Sequence, residues 1–254
     1  MIVGVAALPH PPLLVPELVG GAVAETEPVR AACLAAVAEL RESTEDWLVV
    51  FAGQSTRATS RGRGSFGGFG GPGAEVIVQL DDREPDQTTR PDSDWPLPVL
   101  IAAWLRGQVG AHRLRMCPFS PRLSAADSLA AGRELAEAES DDRAVGLLVL
   151  GDGCARRSER SPLPPDPRGA AFDDAVARAL AEPAPDALAA LDAREADELG
   201  VSGRVGWQVL AGAVLATPRR WTAQLRYSAA PFGIGYHVAS WRSNPEEPRG
   251  HRRP

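Results

Sequence analysis

Three short runs of nearly uninterrupted apolar residues constrain this chain more than any other feature. They are Ile2-Val3-Gly4-Val5-Ala6-Ala7-Leu8, Trp47-Leu48-Val49-Val50-Phe51-Ala52 and Val145-Gly146-Leu147-Leu148-Val149-Leu150. Such runs suit strands buried on both faces, the condition of a parallel sheet covered by helices on either side. Between the first two runs, Val29, Ala32, Cys33, Ala36, Val37 and Leu40 recur at helical spacing within Glu25 to Glu42. That pattern reads as one amphipathic helix. Strand, helix, strand is the βαβ order. The expected fold class is α/β: three layers, α/β/α, around a central mostly parallel or mixed sheet.

The rest of the chain fills in that plan. Gly62 to Gly73 is glycine-rich and reads as a loop, Glu75 to Leu80 as a strand, and Asp81 to Asp94 as a polar loop. Pro96 to Arg106 is expected to be a helix, Arg113 to Cys117 a strand, and Ser124 to Ala138 a helix with Ser124 as its N-cap. The charged, proline-rich stretch Arg156 to Gly169 reads as a surface loop. Helices are expected at Ala170 to Ala181, Ala184 to Leu191 and Gly206 to Ala216, then closing strands at Trp221 to Tyr227 and Gly233 to Trp241. There is no internal repeat and no linker long enough to divide the chain. One domain is expected over residues 1–243, with residues 244–254 as a disordered polar tail.

Composition narrows the function classes. The net charge of −6 argues against a general nucleic-acid binder, which needs a basic face to neutralise phosphates. It also gives no reason to expect an anionic membrane surface as partner. All 27 basic residues are arginine, which reads as codon bias of a GC-rich genome. Cys33, Cys117 and Cys154 are far apart and odd in number, so they read as buried small hydrophobes in a reducing compartment. With no basic, apolar leader and no membrane-length apolar run, a cytoplasmic location is the expectation.

In open α/β sheets, ligands bind beyond the carboxyl ends of the strands. The first run delivers His10 in Pro9-His10-Pro11-Pro12, the second Gln54 and Ser55, and the third Asp152. If these strands are parallel neighbours, the four residues converge on one rim. Glu159 and Asp166 could add carboxylates from the following loop. Gly62-x-Gly64-x-x-Gly67 sits before a strand and not before a helix, so it is read as a loop rather than a dinucleotide fingerprint. His112 and His237 are read as isolated, His237 as a satisfied structural histidine. Asp173 and Asp174 are read as opening a helix, where negative charge suits the dipole. No Ser-His-Asp order stands out.

Leu8-Pro9-His10-Pro11-Pro12-Leu13-Leu14-Val15-Pro16 resembles the opening of the class III extradiol ring-cleavage dioxygenase B-subunit superfamily, the LigB-like and Memo-type proteins. Phe51-Ala52-Gly53-Gln54, Leu150-Gly151-Asp152-Gly153-Cys154-Ala155, the segment around Gly206 to Ala213 and Ala230 to Tyr236 are similar in character to later family segments. The resemblance implies a LigB-like fold and a non-haem Fe(II), or another divalent metal, held by two histidines and a glutamate, with a further histidine as acid/base. Carried over, His10 matches the first metal ligand. Gln54 falls where the second histidine stands, Ala155 near the acid/base histidine, and Arg204 near the glutamate. The ligand set is incomplete, since a neutral amide is a poor Fe(II) ligand and alanine moves no proton.

The expected function is a LigB-like module that binds a small molecule or a partner without family-type ring cleavage. The alternative is a divergent metal-dependent oxidoreductase that uses His10 and Asp152, with Gln54, Ser55 and Glu159 lining the pocket. Assembly into homo- or hetero-oligomers is a further expectation, because B subunits of this superfamily often pair with other chains.

Overall fold

The computed structural model describes residues 1–20, 23–54, 61–69, 76–82, 90–139 and 143–244. In chain order the first half holds β1 (Ile2–Leu8), a 3-10 turn (Pro12–Leu14), α1 (Pro16–Val19), α2 (Val23–Ser43), β2 (Asp46–Ala52), β3 (Arg63–Ser65), β4 (Ile77–Gln79), α3 (Leu97–Val109) and β5 (Arg113–Phe119). The second half holds α4 (Ala125–Ala138), β6 (Val145–Leu150), α5 (Arg168–Ala181), α6 (Pro185–Ala189), α7 (Ala193–Glu198), α8 (Arg204–Leu215), β7 (Arg220–Ala229) and β8 (Tyr236–Asn244).

The main sheet has the order β5-β2-β6-β1-β8-β7. The first four strands are parallel, while β8 runs antiparallel to β1 and β7 antiparallel to β8. Side chains alternate across the pleat. Ala6, Leu8, Val49, Phe51, Leu148 and Leu150 join the core under α2 and α3. Ala7, Leu48, Val50, Leu147 and Val149 join the core under α5 and α8. The three apolar runs are therefore central strands covered on both faces, as their lack of alternation requires. The architecture is three-layered α/β/α with a mixed sheet.

Local signals set the element ends. The Ser124 hydroxyl accepts the Asp127 N–H at 3.1 Å and caps α4, and Asp192 accepts the Glu195 N–H at 2.7 Å to cap α7. Gly110 closes α3 in the left-handed region at φ 66°.

Two element readings are corrected. The glycine stretch is not all loop: Arg63–Ser65 pairs antiparallel with Ile77–Gln79 in a two-stranded sheet. Gly64 lies so close to Trp95 and Leu100 that a Cβ would come within 2.8 Å of Leu100, so glycine serves close packing there. Helix α7 was not anticipated, because its six residues carry too few apolar positions to show a period. The expected disordered tail lies outside the described residues, apart from Asn244, which ends β8. Among the described residues, no helix is long and apolar enough to cross a membrane.

Candidate functional site

Strand register brings the carboxyl ends level. Leu8 pairs with Leu150, Leu150 with Phe51, and Phe51 with Pro118, so one row crosses all four parallel strands. Residues just past that row leave the sheet together. The ladder between β1 and β6 runs one step further, with Gly151 N–H donating to the Leu8 carbonyl at 2.9 Å.

The chain after β1 turns to one face, where Leu14, Val15 and Val29 are buried. The chain after β6 turns to the other, where Cys154 and Phe172 are buried. Neighbouring parallel strands whose connections part to opposite faces leave a crevice between them, the usual ligand site of such sheets. His10 and Asp152 stand at that crevice.

The His10 backbone N–H donates to Asp152 Oδ1 at 2.9 Å. The Asp152 N–H donates to Ser202 Oγ at 2.9 Å, and its carbonyl accepts the Gly203 N–H at 2.9 Å. Asp152 is thereby fixed from both sides. The His10 and Asp152 side chains are 14 % and 20 % exposed, so each is partly open to solvent. His10 Nδ1 lies 3.8 Å from Asp152 Oδ1, beyond a direct hydrogen bond. That nitrogen is buried and has no hydrogen-bond partner among the described residues. Burial, with the Asp152 charge adding to it, pushes the Tyr236 phenol and the Cys33 thiol well above their ordinary values. Both therefore stay protonated beneath the carboxylate near neutral pH.

The other expected site residues do not join this pair. Gln54 follows β2 but is exposed, with no hydrogen bond to His10 or Asp152 among the described residues. Ser55 lies outside the described residues. Glu159 is exposed in the loop after β6. His112 is at the amino end of β5, paired with Asp82, and far from the rim; His251 lies outside the described residues.

A small cleft of about 180 Å³ opens on the same rim, lined by Ala52, Pro121, Asp197, Ser202 and Arg204 among others. Of these, Arg204 is the residue that stands near the glutamate position the family resemblance implies. The buried Arg204 guanidinium donates to the carbonyls of Leu123 and Pro121, each at 3.0 Å, and to Gln208 Oε1 at 2.8 Å. It ties α8 to the β5–α4 connection. A larger cavity of about 350 Å³ lies between α4 and α8, lined by Leu129, Arg133 and Leu215. It sits at the carboxyl end of α8, while the rim is at that helix's amino end, so the chemistry of the site favours the smaller cleft.

Two further readings are corrected. Asp173 does not open its helix: it is the sixth residue of α5, its side chain 1 % exposed. His237 is not fully satisfied: Nδ1 meets Ser228 Oγ at 3.0 Å, but the buried Nε2 has no hydrogen bond and lies 3.4 Å from Asp173 Oδ1. A Ser-His-Asp grouping exists in space although no such order stands out along the chain.

Iron fits these residues poorly. Among the described residues, no group of three or more histidine, cysteine, aspartate or glutamate side chains is placed to hold a metal ion. His10 and Asp152 supply two donors of suitable type, and a facial triad needs three.

No protein-family model matches the chain, and no curated protein matches it. Among solved structures it is similar to an uncharacterized protein, JW3007, from Escherichia coli K12, at 13 % identity and a TM-score of 0.43 over 94 % of this chain and 99 % of that one. A likeness at that level is silent about function.

Proposed function

We propose that this chain is a LigB-like protein that binds a small hydroxylated molecule at the β1/β6 crevice and does not carry out family-type ring cleavage. The observation that carries the reading is the buried, unpartnered His10 Nδ1 set 3.8 Å from Asp152 Oδ1. A buried polar atom without a partner costs about 1–3 kcal/mol, which a ligand can recover. A hydroxyl both donates and accepts, so one oxygen can sit within hydrogen-bond distance of the imidazole nitrogen and the carboxylate. The crevice position agrees with the general rule for such sheets.

A thermal-shift panel of catechols and hydroxylated aromatic acids tests it. Wild type should be stabilised by at least one compound, and His10→Ala should lose that shift. A panel that shifts neither protein, or shifts both alike, overturns the reading.

The second reading, a divergent oxidoreductase using His10 and Asp152, is favoured by the imidazole and carboxylate sharing one site. Protein incubated with Fe(II) and protocatechuate in an oxygen electrode separates the two. Oxygen uptake above buffer that disappears in His10→Ala would establish the second reading. Uptake equal to buffer refutes it.

A further inference from the structure

We propose a second reactive site, separate from His10, in which Ser228 is a nucleophile activated by His237 toward small activated carboxylic esters. Ser228 lies on β7, one of the two edge strands of the main sheet, opposite His237 in the ladder with β8. It is exposed, while the His237 and Asp173 side chains are 2 % and 1 % exposed.

Asp173 stands behind the imidazole, fixed by two other contacts. Its Oδ2 accepts from Arg157 at 2.9 Å, and its Oδ1 accepts the Cys154 N–H at 2.8 Å. Oδ1 also faces His237 Nε2 at 3.4 Å, and a carboxylate oxygen there suits a proton on Nε2 rather than a lone pair. Nδ1 then presents its lone pair to the Ser228 hydroxyl, which donates to it. A nucleophile, its base and the group that orients the base stand in line, the arrangement that activates serine hydroxyls on unrelated folds. Either ring nitrogen can serve as base when the other holds the proton.

The surroundings keep this chain of contacts close. A Cβ on Gly153 would come within 3.0 Å of His237 Nε2, and one on Gly235 would collide with the Asp173 carboxylate. Trp207 meets the imidazole edge-on, with ring centroids 6.2 Å apart.

Ser228 Oγ bonds to the ester carbonyl carbon as its proton passes to His237 Nδ1. The ester C–O bond then breaks, and the leaving alcohol takes that proton. Water, deprotonated by the same nitrogen, releases the acid and restores the hydroxyl. Edge strands carry outward N–H groups that can meet the developing oxyanion. Ser228 is exposed on its strand, so the substrates that suit it are small esters with good leaving groups, which need no enclosing pocket. Asp173 is a positioning residue here.

A fluorophosphonate probe followed by peptide mass mapping tests the site in the full chain. Wild type should carry one adduct, on Ser228, and Ser228→Ala none. His237→Gln should label about a hundredfold more slowly or worse, the usual loss when a general base is removed. Asp173→Asn should slow labelling of Ser228 with the thermal melt unchanged, and Asp173→Glu should recover part of the rate; a purely structural role would lower stability and labelling together. No adduct on wild type, an adduct that persists in Ser228→Ala, or His237→Gln labelling at the wild-type rate overturns the proposal. Ser228 is exposed, and its alanine variant, checked for a wild-type circular dichroism spectrum, decides the matter even if His237→Gln does not fold.

Discussion

Adding one methyl group at Gly132 should destabilise the protein by about 2 kcal/mol, through the contact between two helices. Gly132 on α4 and Gly212 on α8 face each other's helix backbones. A Cβ on Gly132 would come within 2.8 Å of the Ala213 nitrogen and 2.9 Å of the Val209 carbonyl carbon, and nearer still to its oxygen. Real Cβ atoms keep beyond 3.0 Å of such neighbours. Backbone cannot swing aside as a side chain can, so the helices must part, by on the order of 1 Å on an interaxial distance of roughly 8–10 Å. Overpacking of this kind costs about 1–3 kcal/mol. The obstacle is rigid, so the upper end applies, and alanine's better helix propensity returns about 1 kcal/mol. A net loss of about 2 kcal/mol corresponds to a Tm lower by roughly 4–8 °C for a domain of this size. Gly212→Ala should behave alike, its Cβ meeting the Leu129 backbone. Once either methyl has parted the helices, the second has room, so the double variant should lose clearly less than the sum of the two. Urea melts of the four proteins measure this. Single variants as stable as wild type, or a double variant with a fully additive loss, would refute the reasoning.

The Glu39 carboxyl should set part of the acid limb of stability. Burial alone would raise its pKa, but the Ser240 hydroxyl and the Arg226 and Arg242 guanidiniums hold it below the ordinary 4.5. A carboxylate depressed on folding stabilises above its unfolded value and loses that contribution as pH falls through the folded one. Glu39→Gln should therefore lower Tm at pH 7 and flatten its decline below about pH 4.5; parallel Tm–pH curves for variant and wild type would contradict this. The cysteines should resist alkylation in the native state. Burial pushes Cys117 up to about 11 and Cys33 higher still, and thiolate is the reactive form. Iodoacetamide at pH 8 should label them only after denaturant is added, as read by intact mass; prompt native labelling of Cys33 would count against its burial.

The sheet was legible because its central strands carry a one-dimensional signal. Val49, Val50, Leu147 and Leu148 are apolar at successive positions, and only a doubly covered strand tolerates that. The His10–Asp152 pair was legible for the same reason, since both follow such strands and register does the rest. Gln54 follows a strand of the same kind yet stays exposed, because a strand end fixes where a residue leaves the sheet and not which way its side chain turns. The Ser228–His237–Asp173 grouping was not legible. Ser228 and His237 meet only through the β7–β8 register, and Asp173 reaches them from α5 by tertiary packing. Nothing in local pattern marks an aspartate in mid-helix as buried. The one usable signal was the alternation of Gly235, His237, Ala239 and Trp241, which places His237 on the face that α5 covers.

The loop after β6 joins the two polar sites, and that connection can be tested. Its successive residues serve them in turn: the Asp152 side chain accepts from His10, the Gly153 N–H donates to the Gly235 carbonyl at 2.7 Å, and the Cys154 N–H donates to Asp173. Gly153 is hemmed in, since an added Cβ would stand 2.5 Å from Asp173 Oδ1 and 3.0 Å from both the imidazole and the Gly235 carbonyl. Gly153→Ala must therefore push the loop and the Asp173 carboxylate apart. That shift breaks the Cys154 anchor on Asp173 and, through one intervening residue, turns Asp152 relative to His10. Asp152→Asn removes charge from the first site while leaving this backbone in place. Gly153→Ala should thus lose both Ser228 labelling and the His10-dependent thermal shift, whereas Asp152→Asn should lose only the shift. Retained labelling in Gly153→Ala would show that the loop does not couple the sites.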